Sequence, residues 1–198
     1  MRELEVKAVL DDWDARRRRL EKHGARLVFA GRLEDRRYDT PRRALAKRDH
    51  VLRVRVYRSE DGASRCSLDW KGKTKYEDGY KVREELSATA AQPDELVAIL
   101  ARLGYVVIHA VDREIIQFAF RGATVRFERY PRMDDLVEVE GSPAAIERAI
   151  AALGMRRDRF TSDRLRDFVR RFQKRTGERA ALSDAALQGE ATYRLEDA

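Results

Sequence analysis

The sequence predicts an α+β fold in which an antiparallel sheet closes into a barrel and helices pack on its outside. Three observations support this. Several short segments alternate charged and apolar side chains, which is the two-residue period of a strand. Turn residues join some of them, as at the hairpin signal Glu60-Asp61-Gly62. Four amphipathic stretches of helical period separate the strand groups, and each can cover part of an apolar outer face.

The first half of the chain predicts one helix and five extended segments. Residues 2–9 alternate and form the first strand, and Asp11 and Asp12 offer N-caps for a helix that ends at Gly24. A long extended segment over residues 25–40 follows, and the polar residues 42–49 predict a loop. Further strands are predicted at 51–58, 64–71 and 79–87.

The second half repeats this order. A helix over 93–104 leads through Gly104 into strands at about 105–120, 123–130 and 135–141. The recurrence of helix, glycine, long strand and hairpin predicts a duplicated half-barrel. Two more helices are expected at 143–154 and 162–176.

Length and composition are those of one domain of residues 1–176 followed by a C-terminal tail of residues 177–198. The chain has 198 residues, and its last 22 have little apolar periodicity, which leaves a short helix or a mobile tail open. Cys66 is the single cysteine, as expected in a reducing cytoplasm. Neither a secretory leader pattern nor an apolar run near ~20 residues occurs, so we expect a cytoplasmic protein without a membrane partner.

Charged residues are abundant and fall on one face of the predicted strands. They make up 39% of the chain, with a net charge of +7 that favours anionic partners. Any single strand with one charged face would only indicate a wet sheet surface. Six such strands in one chain, with few uncharged polar residues among them, indicate a shared charged interior. The same-face positions are Glu3, Glu5 and Lys7; Arg53 and Arg55; Asp69 and Lys71; Arg83 and Glu85; Arg126 and Glu128; and Glu138 and Glu140.

Such an interior has a definite chemistry if the barrel closes with these charges inward. Removing so many ions from water is costly, even when they pair. A polyanion with divalent cations would resolve this cost, since arginine and lysine bind phosphate oxygens and carboxylates bind Mg²⁺ or Mn²⁺. The three histidines, His23, His50 and His109, have no metal-motif spacing, so a zinc site is not expected.

Short motifs in the same order resemble those of the CYTH superfamily of triphosphate tunnel enzymes. Glu3-Leu-Glu5-Val-Lys7 resembles its E-x-E-x-K signature, and Tyr38-Asp-Thr-Pro41 its Y-D-T-P segment. Similar matches are Leu52-Arg-Val-Arg55, Trp70-Lys-Gly72, Arg83-Glu-Glu85 and Val137-Glu-Val-Glu140, so the resemblance covers roughly residues 2–172. It implies an eight-stranded antiparallel barrel around a charged tunnel that holds a triphosphate.

The resemblance also implies roles for individual residues. The implied metal ligands are Glu3, Glu5, Glu138, Glu140 and Glu128, the last at a position where relatives often have aspartate. The implied substrate-binding residues are Lys7, Arg53, Arg55, Lys71, Arg83 and Arg113, to which strand parity adds Arg126. In phosphatase relatives a tyrosine–lysine pair is associated with substrate choice; here Tyr38 and Lys71 match it, and with Glu85 they are the candidate catalytic residues.

Three functions follow, of which we favour the first. The chain is expected to hydrolyse ATP, another nucleoside triphosphate, thiamine triphosphate or tripolyphosphate with Mg²⁺ or Mn²⁺. The second is a class IV adenylyl cyclase, which converts ATP to cyclic AMP and pyrophosphate on a similar phosphate cradle. The third is RNA or polyphosphate binding without turnover through the arginine-rich helices, for which a merely solvated helix face is the favoured explanation. Homodimers are common among relatives.

Overall fold

A computed structural model describes residues 2–77 and 80–192, without the side chains of residues 2, 3, 80 and 81. Within these ranges it contains nine strands and five α-helices. The strands are β1 (Arg2–Val9), β2 (Arg26–Asp39), β3 (Val51–Ser59), β4 (Ser64–Lys71), β5 (Lys75–Glu77), β6 (Tyr80–Ala90), β7 (Val106–Phe120), β8 (Ala123–Arg129) and β9 (Leu136–Gly141). The helices are α1 (Trp13–Lys22), α2 (Pro93–Arg102), α3 (Pro143–Leu153), α4 (Leu165–Thr176) and α5 (Asp184–Leu187).

Eight of the strands close into an antiparallel barrel, as predicted. Their order is β1-β9-β8-β7-β2-β3-β4-β6, and β6 pairs again with β1. The ninth strand, β5, pairs only with β6 at its edge and was not predicted, because the three residues of β5 are too few to show an alternating pattern. Closure leaves the eight barrel strands without a free edge, so the interior is accessible only through the ends and the gaps between side chains.

The topology has the two-fold symmetry that a duplicated half-barrel predicts. Exchanging β1, β2, β3 and β4 with β6, β7, β8 and β9 returns the same strand order, and α1 and α2 hold equivalent places. Gly24 and Gly104, which follow these helices, are 80 positions apart in the sequence. Leu33 and Arg113 are also 80 apart and face each other across β2 and β7, where the symmetry axis passes.

The main apolar core lies outside the barrel wall. The outward side chains of β1, β8 and β9, such as Val6, Phe127 and Val139, pack under α1 and α3. Trp13 of α1 meets the Phe127 ring edge-on, with 5.4 Å between ring centroids. A second cluster beneath α2 contains Leu100, and a third, around α4, closes over Leu136 of β9. The helices therefore bury the apolar faces of the strands and leave the alternate faces for the interior.

The segment after α4 packs on the barrel. Ala180, Ala181 and Leu182 are buried, and the Leu182 carbonyl accepts a hydrogen bond of 2.7 Å from the Asp112 amide in β7. Asp184, at the start of α5, binds Arg32 of β2. Of the two states left open for the tail, the short helix is therefore present at α5; residues 193–198 lie outside the described part. Among the described residues, no helix has the length and hydropathy needed to span a bilayer.

The interior is not charged along its whole length. Leu33, Tyr57 and Ile115 point inward from β2, β3 and β7 and form a buried apolar layer with Phe29. The ring of Phe29 meets that of Tyr57 edge-on at 5.4 Å between centroids. The prediction of a charged interior does not extend to this level. It missed the layer because the 25–40 segment is charged on both faces and gives no clear parity.

A glycine in β2 allows the strands to approach beside this layer. Gly31 has a φ of 144°, and a Cβ atom there would lie 2.2 Å from the Arg58 carbonyl oxygen of β3. We expect Gly31→Ala to lower the free energy of unfolding by more than about 1 kcal/mol, because both the backbone conformation and the contact oppose a side chain. Urea denaturation measures this.

The matched control is Gly24→Ala. Gly24 also has a positive φ, 86°, but no atom lies within 4 Å of the added Cβ. If the two variants lose equal stability, close packing of β2 on β3 is not what requires Gly31.

Candidate active site in the barrel interior

A continuous chain of ion pairs runs around the inner wall of the barrel. Each pair joins side chains on the same strand or on neighbouring strands, so the chain follows the sheet order from β1 to β4. Its successive members are Glu5 and Lys7 (β1), Glu138 (β9), Arg126 and Glu128 (β8), Arg113 (β7), Asp35 (β2), Arg53 and Arg55 (β3) and Asp69 (β4). Side chains of this interior network are at most about an eighth exposed. A further pair joins Lys71 of β4 to Glu85 of β6, the next strand in the sheet order.

Asp35 is the centre of the arginine-rich part of this network. Its carboxylate lies 3.1 Å from Arg55, 3.6 Å from Arg53 and 3.8 Å from Arg113. Burial alone would raise the pKa of Asp35, but the three guanidinium groups hold it below its usual range. The sequence prediction did not include Asp35, because Glu34, Asp35, Arg36 and Arg37 put charges on both faces of β2.

Lys7 is the centre of the glutamate-rich part. Its ammonium nitrogen lies 2.5 Å from a Glu138 oxygen and 3.3 Å from a Glu5 oxygen. Burial would lower the pKa of Lys7, yet Glu138 and Glu5 raise it above its ordinary value. Conversely, burial would raise the pKa of Glu138, but Lys7 and Arg126 lower it to about 2. Both groups are therefore charged at neutral pH.

Glu128 is held from both sides. Its Oε1 lies 3.3 Å from Arg113 and 3.7 Å from Arg126, while its Oε2 accepts a 2.7 Å hydrogen bond from the Tyr130 hydroxyl. Glu128 is almost fully buried. Tyr130 was not predicted, because it follows the last residue of β8 and is uncharged, so the pattern of alternating charges does not mark it. Burial and the adjacent Glu128 raise the pKa of Tyr130 well above its usual value. The phenol therefore stays protonated and donates the hydrogen bond to Glu128.

The network surrounds a space that we call the tunnel cavity, of about 370 Å³. Among the described residues, ten lysine or arginine side chains and six carboxylates line it, a formal excess of four positive charges. A triphosphate group has roughly four negative charges near neutral pH, given the ordinary second pKa of a phosphate. The cavity thus has the size of a small-molecule site and the charge to balance a polyphosphate.

Most of the predicted site residues converge on this cavity. Eleven of the fourteen line it: Glu5, Lys7, Tyr38, Arg53, Arg55, Lys71, Arg83, Arg113, Arg126, Glu128 and Glu138. Glu85 lines a second cavity on the other side of Arg53 and Arg55. Glu140 pairs with Glu5 in the β1–β9 ladder and is not among the lining residues, and the side chain of Glu3 lies outside the described part.

Two of the eleven, Tyr38 and Arg83, also contact residues outside the network of ion pairs. Tyr38 borders the cavity but packs among the apolar residues Val54, Cys66 and Leu100 beneath α2. Burial raises the pKa of the Tyr38 phenol. Arg83 donates from Nε to the Gly72 carbonyl at 2.7 Å and from Nη2 to the Asp49 carbonyl at 2.6 Å. Its guanidinium keeps further donors for a ligand, since five N–H groups are present.

The mouth of the cavity contains residues that the sequence did not single out. Arg164 and Arg166, at the start of α4, reach it from the C-terminal part of the chain. Arg164 lies 3.2 Å from a carboxylate oxygen of Asp49, and the other oxygen of Asp49 accepts the Thr74 amide at 2.7 Å. The apolar stripe of α4 predicts which face of the helix packs on the core. No pattern in the sequence of α4 predicts that its first turn lies at the mouth of the cavity.

The donor set fits a hard divalent cation that also contacts substrate. In the described part of the chain, no group of three or more His, Cys, Asp or Glu side chains is arranged for a metal. Glu5 and Glu138 nevertheless approach the same lysine nitrogen, so both carboxylates face one small volume. Mg²⁺ is commonly bound by one or two carboxylates together with substrate phosphates and water, and this pair provides such a set.

The fold and this cavity define a class of barrel proteins with an ion-lined interior. The family model described as the CYTH domain matches residues 1–140. The chain therefore belongs to the CYTH family, as the sequence motifs indicated. A search among curated proteins found no match.

Solved structures share the fold at low sequence identity. A Pyrococcus horikoshii protein has 22% identity and a TM-score of 0.68, covering 82% of this chain and 94% of its own. A putative adenylate cyclase from Vibrio parahaemolyticus has 17% identity and a TM-score of 0.70, with 85% and 97% coverage. A putative adenylyl cyclase from Hippeastrum, described as having a dominant triphosphatase activity, has 17% identity, a TM-score of 0.54 and 98% and 99% coverage.

The lowered pKa of Glu138 predicts a specific acid dependence of stability. Its folded pKa of about 2 lies below the ordinary 4.5, so its charge stabilises the fold above about pH 4.5. That contribution is lost as the pH falls towards 2. We expect the difference in unfolding free energy between the wild type and Glu138→Gln to shrink from pH 5 to pH 3, measured by urea denaturation. A constant difference would show that Glu138 is not ion-paired.

Asp35 provides a second test of the network. We expect Asp35→Asn to lose about 3–5 kcal/mol of stability, because three buried arginines lose their shared carboxylate. Glu34→Gln is the matched control: it is the next residue, points outward and pairs with the exposed Arg58. That change should cost about 1 kcal/mol or less. Equal losses in urea denaturation would exclude Asp35 as the centre of the arginine cluster.

Proposed function

We propose that this chain is a divalent-metal-dependent phosphohydrolase that releases orthophosphate from a triphosphate held in the tunnel cavity. The observation that supports it most directly is the excess of four positive charges in a buried cavity that also contains the carboxylate pair Glu5 and Glu138. The substrate class comprises ATP, other nucleoside triphosphates, thiamine triphosphate and tripolyphosphate.

The buried ion pairs explain how the cavity can bind a polyanion. Arg53, Arg55, Arg113 and Arg126 are each held in place by a carboxylate on a neighbouring strand and so lose little conformational freedom when a ligand arrives. Arg53, Arg55 and Arg113 share one carboxylate, Asp35, so their donors outnumber its acceptor sites. The remaining N–H groups can donate to phosphate oxygens while Asp35 maintains the cluster.

The predicted residues then take distinct roles. Lys7, Arg53, Arg55, Arg83, Arg113 and Arg126 bind the phosphate chain, and preorganised charges of this kind stabilise the transition state of phosphoryl transfer. Glu5 and Glu138, with Glu3, Glu128 and Glu140 as further candidates, would hold Mg²⁺ or Mn²⁺. The chemistry supplied by that ion is charge neutralisation at the phosphates and a lowered pKa of water.

Hydrolysis needs a proton acceptor for the attacking water. As the water oxygen bonds to the terminal phosphorus, the bond to the bridging oxygen breaks and orthophosphate leaves. Glu85, which is paired with Lys71, is the candidate acceptor, and Lys71 faces the tunnel cavity from the same pair. Tyr38 is the candidate for substrate choice, because it borders the cavity next to Asp39 and the 42–49 loop.

Adenylyl cyclase activity is the second candidate, since three of the similar solved structures are described as putative adenylate or adenylyl cyclases. We favour hydrolysis for two reasons. The description of the Hippeastrum protein names a dominant triphosphatase activity, so the cyclase label and the activity differ there. Cyclisation requires the ribose to be held with its 3′-hydroxyl in line with the α-phosphorus, whereas hydrolysis requires only that the triphosphate be held, which suits the mainly ionic lining of the tunnel cavity.

Nucleic-acid binding without turnover is less well supported. The arginine-rich outer helices bind their own carboxylates: Arg16 contacts Asp11 and Arg17 contacts Glu21 in the region of α1. On α4, Arg171 contacts Asp163 and Arg175 contacts Asp134. Such neighbouring carboxylates weaken the field that would attract a phosphate backbone.

A substrate panel tests the proposal. We expect ATP, GTP, thiamine triphosphate or tripolyphosphate, incubated with Mg²⁺ or Mn²⁺, to release orthophosphate, and chelation to stop the release. Glu138→Gln should reduce turnover by about 100-fold or more, because it removes charge at the implied metal position. Circular dichroism establishes that the variant is folded.

Glu21→Gln is the control, since this glutamate lies on the exposed face of α1 and should leave turnover unchanged. Cyclic AMP and pyrophosphate as the products would replace the hydrolase by the cyclase. Full activity of Glu138→Gln would remove Glu138 from the metal site.

A further inference from the structure

A second space, which we call the side cavity, lies directly behind two arginines of the tunnel. It has a volume of about 230 Å³, and Arg53 and Arg55 line both cavities. Its other walls come from β3, β4 and β6 and include Tyr57, Arg65, Ser67 and Thr89. The two spaces therefore share a partition made of guanidinium groups.

The partition consists of ion pairs that reach across from one cavity to the other. Asp69, which lines the side cavity, lies 3.1 Å from the Nε of Arg53 and accepts a 2.6 Å hydrogen bond from the Ser87 hydroxyl. Lys71 faces the tunnel cavity, whereas its partner Glu85 faces the side cavity. Side chains that line both spaces therefore form the partition, and their rearrangement can connect the two cavities.

The side cavity also has its own contact with solvent. Arg65, Ser87 and Thr89 are exposed, and all three belong to its lining. The mouth of the tunnel cavity, by contrast, is bordered by Asp49 and Arg164. An anion that passes the arginine pair can therefore reach water without returning past the tunnel mouth.

The lining chemistry suits a small oxyanion. Arg65 lies over the ring of Tyr57, 4.1 Å from its centroid, and the hydroxyls of Ser67 and Thr89 add uncharged donors. Burial would raise the pKa of Tyr57, but Arg55, Arg126, Arg53 and Arg65 lower it, as a positive local potential requires. The volume of about 230 Å³ is below that of a typical organic-ligand pocket and is sufficient for inorganic phosphate.

We propose that the side cavity is a second anion site, which binds the inorganic phosphate released in the tunnel cavity and leads it to solvent past Arg53 and Arg55. The proposal rests on the proposed hydrolase function. It assigns a binding role to Arg65 and Thr89, which do not line the tunnel cavity.

Calorimetry can test it with the first site filled. The tunnel cavity is saturated with the non-hydrolysable imido analogue of tripolyphosphate and Mg²⁺, and inorganic phosphate is then titrated. We expect phosphate still to bind, and Arg65→Gln with Thr89→Val to weaken this binding on the order of tenfold, the effect of losing a charge-assisted hydrogen bond. Affinity for the analogue should change less than twofold.

Arg58→Gln is the matched control. It removes one positive charge, as Arg65→Gln does on the neighbouring strand β4. Arg58 of β3, however, points to the outer face and lines neither cavity. It should leave phosphate affinity unchanged. In steady state, phosphate should inhibit the wild type non-competitively, and Arg65→Gln should relieve that inhibition.

The outcomes separate the two proposals. Failure of the analogue to bind would overturn the hydrolase function itself. Two results would overturn the second site and leave the hydrolase intact. In the first, the analogue binds and phosphate no longer does. In the second, the Arg65→Gln, Thr89→Val variant binds phosphate with unaltered affinity.

Discussion

The structure depends on keeping a ring of ions paired inside a closed sheet. An isolated buried charge is strongly unfavourable, and a buried pair is tolerated only when its geometry and hydrogen bonds are good. Here each cross-strand contact uses the register of two neighbouring strands, as between Arg126 of β8 and Glu138 of β9 at 3.0 Å. A one-residue slip would turn these side chains outward and expose the apolar core. The same ions that make the ligand site therefore also fix the register of the barrel.

The ring is polarised across the barrel. β1, β8 and β9 provide Glu5, Glu128 and Glu138, whereas β3 on the other side of the strand order provides Arg53 and Arg55. These glutamates come from both halves of the duplicated topology, since β1 belongs to the first half and β8 and β9 to the second. Binding a polyphosphate together with a cation uses this asymmetry, because arginines bind the phosphate oxygens whereas the cation needs carboxylate ligands. A uniformly basic interior would repel the cation, and a uniformly acidic one would repel the phosphates.

The C-terminal part of the chain completes the site from outside the barrel. Helix α4 packs through Phe168, Val169 and Phe172 against the barrel end, which places Arg164 and Arg166 at the tunnel mouth. The segment that follows is tied to β7 by the Asp112 amide and to β2 by Arg32. The family match ends at residue 140, so these mouth residues lie in the part of the chain that the family pattern does not specify. The interior ion pairs therefore lie within the family match, whereas Arg164 and Arg166 at the mouth lie outside it.

Alternation along β1, β3, β8 and β9 was enough for the sequence to determine the barrel class and the inward charges, because each of these strands has one apolar and one ionic face. Nine of the eleven predicted residues that line the tunnel cavity are same-face positions of alternating strands, whereas Tyr38 and Arg113 were given only by the resemblance to the CYTH motifs. Only the tertiary structure decided the rest. Asp35 lies on a strand charged on both faces, Arg164 comes from a distant helix, and Arg65 and Thr89 share a cavity only because β4 pairs with β6. Local periodicity specifies which way a side chain points, whereas its partners depend on the register and closure of strands far apart in the chain.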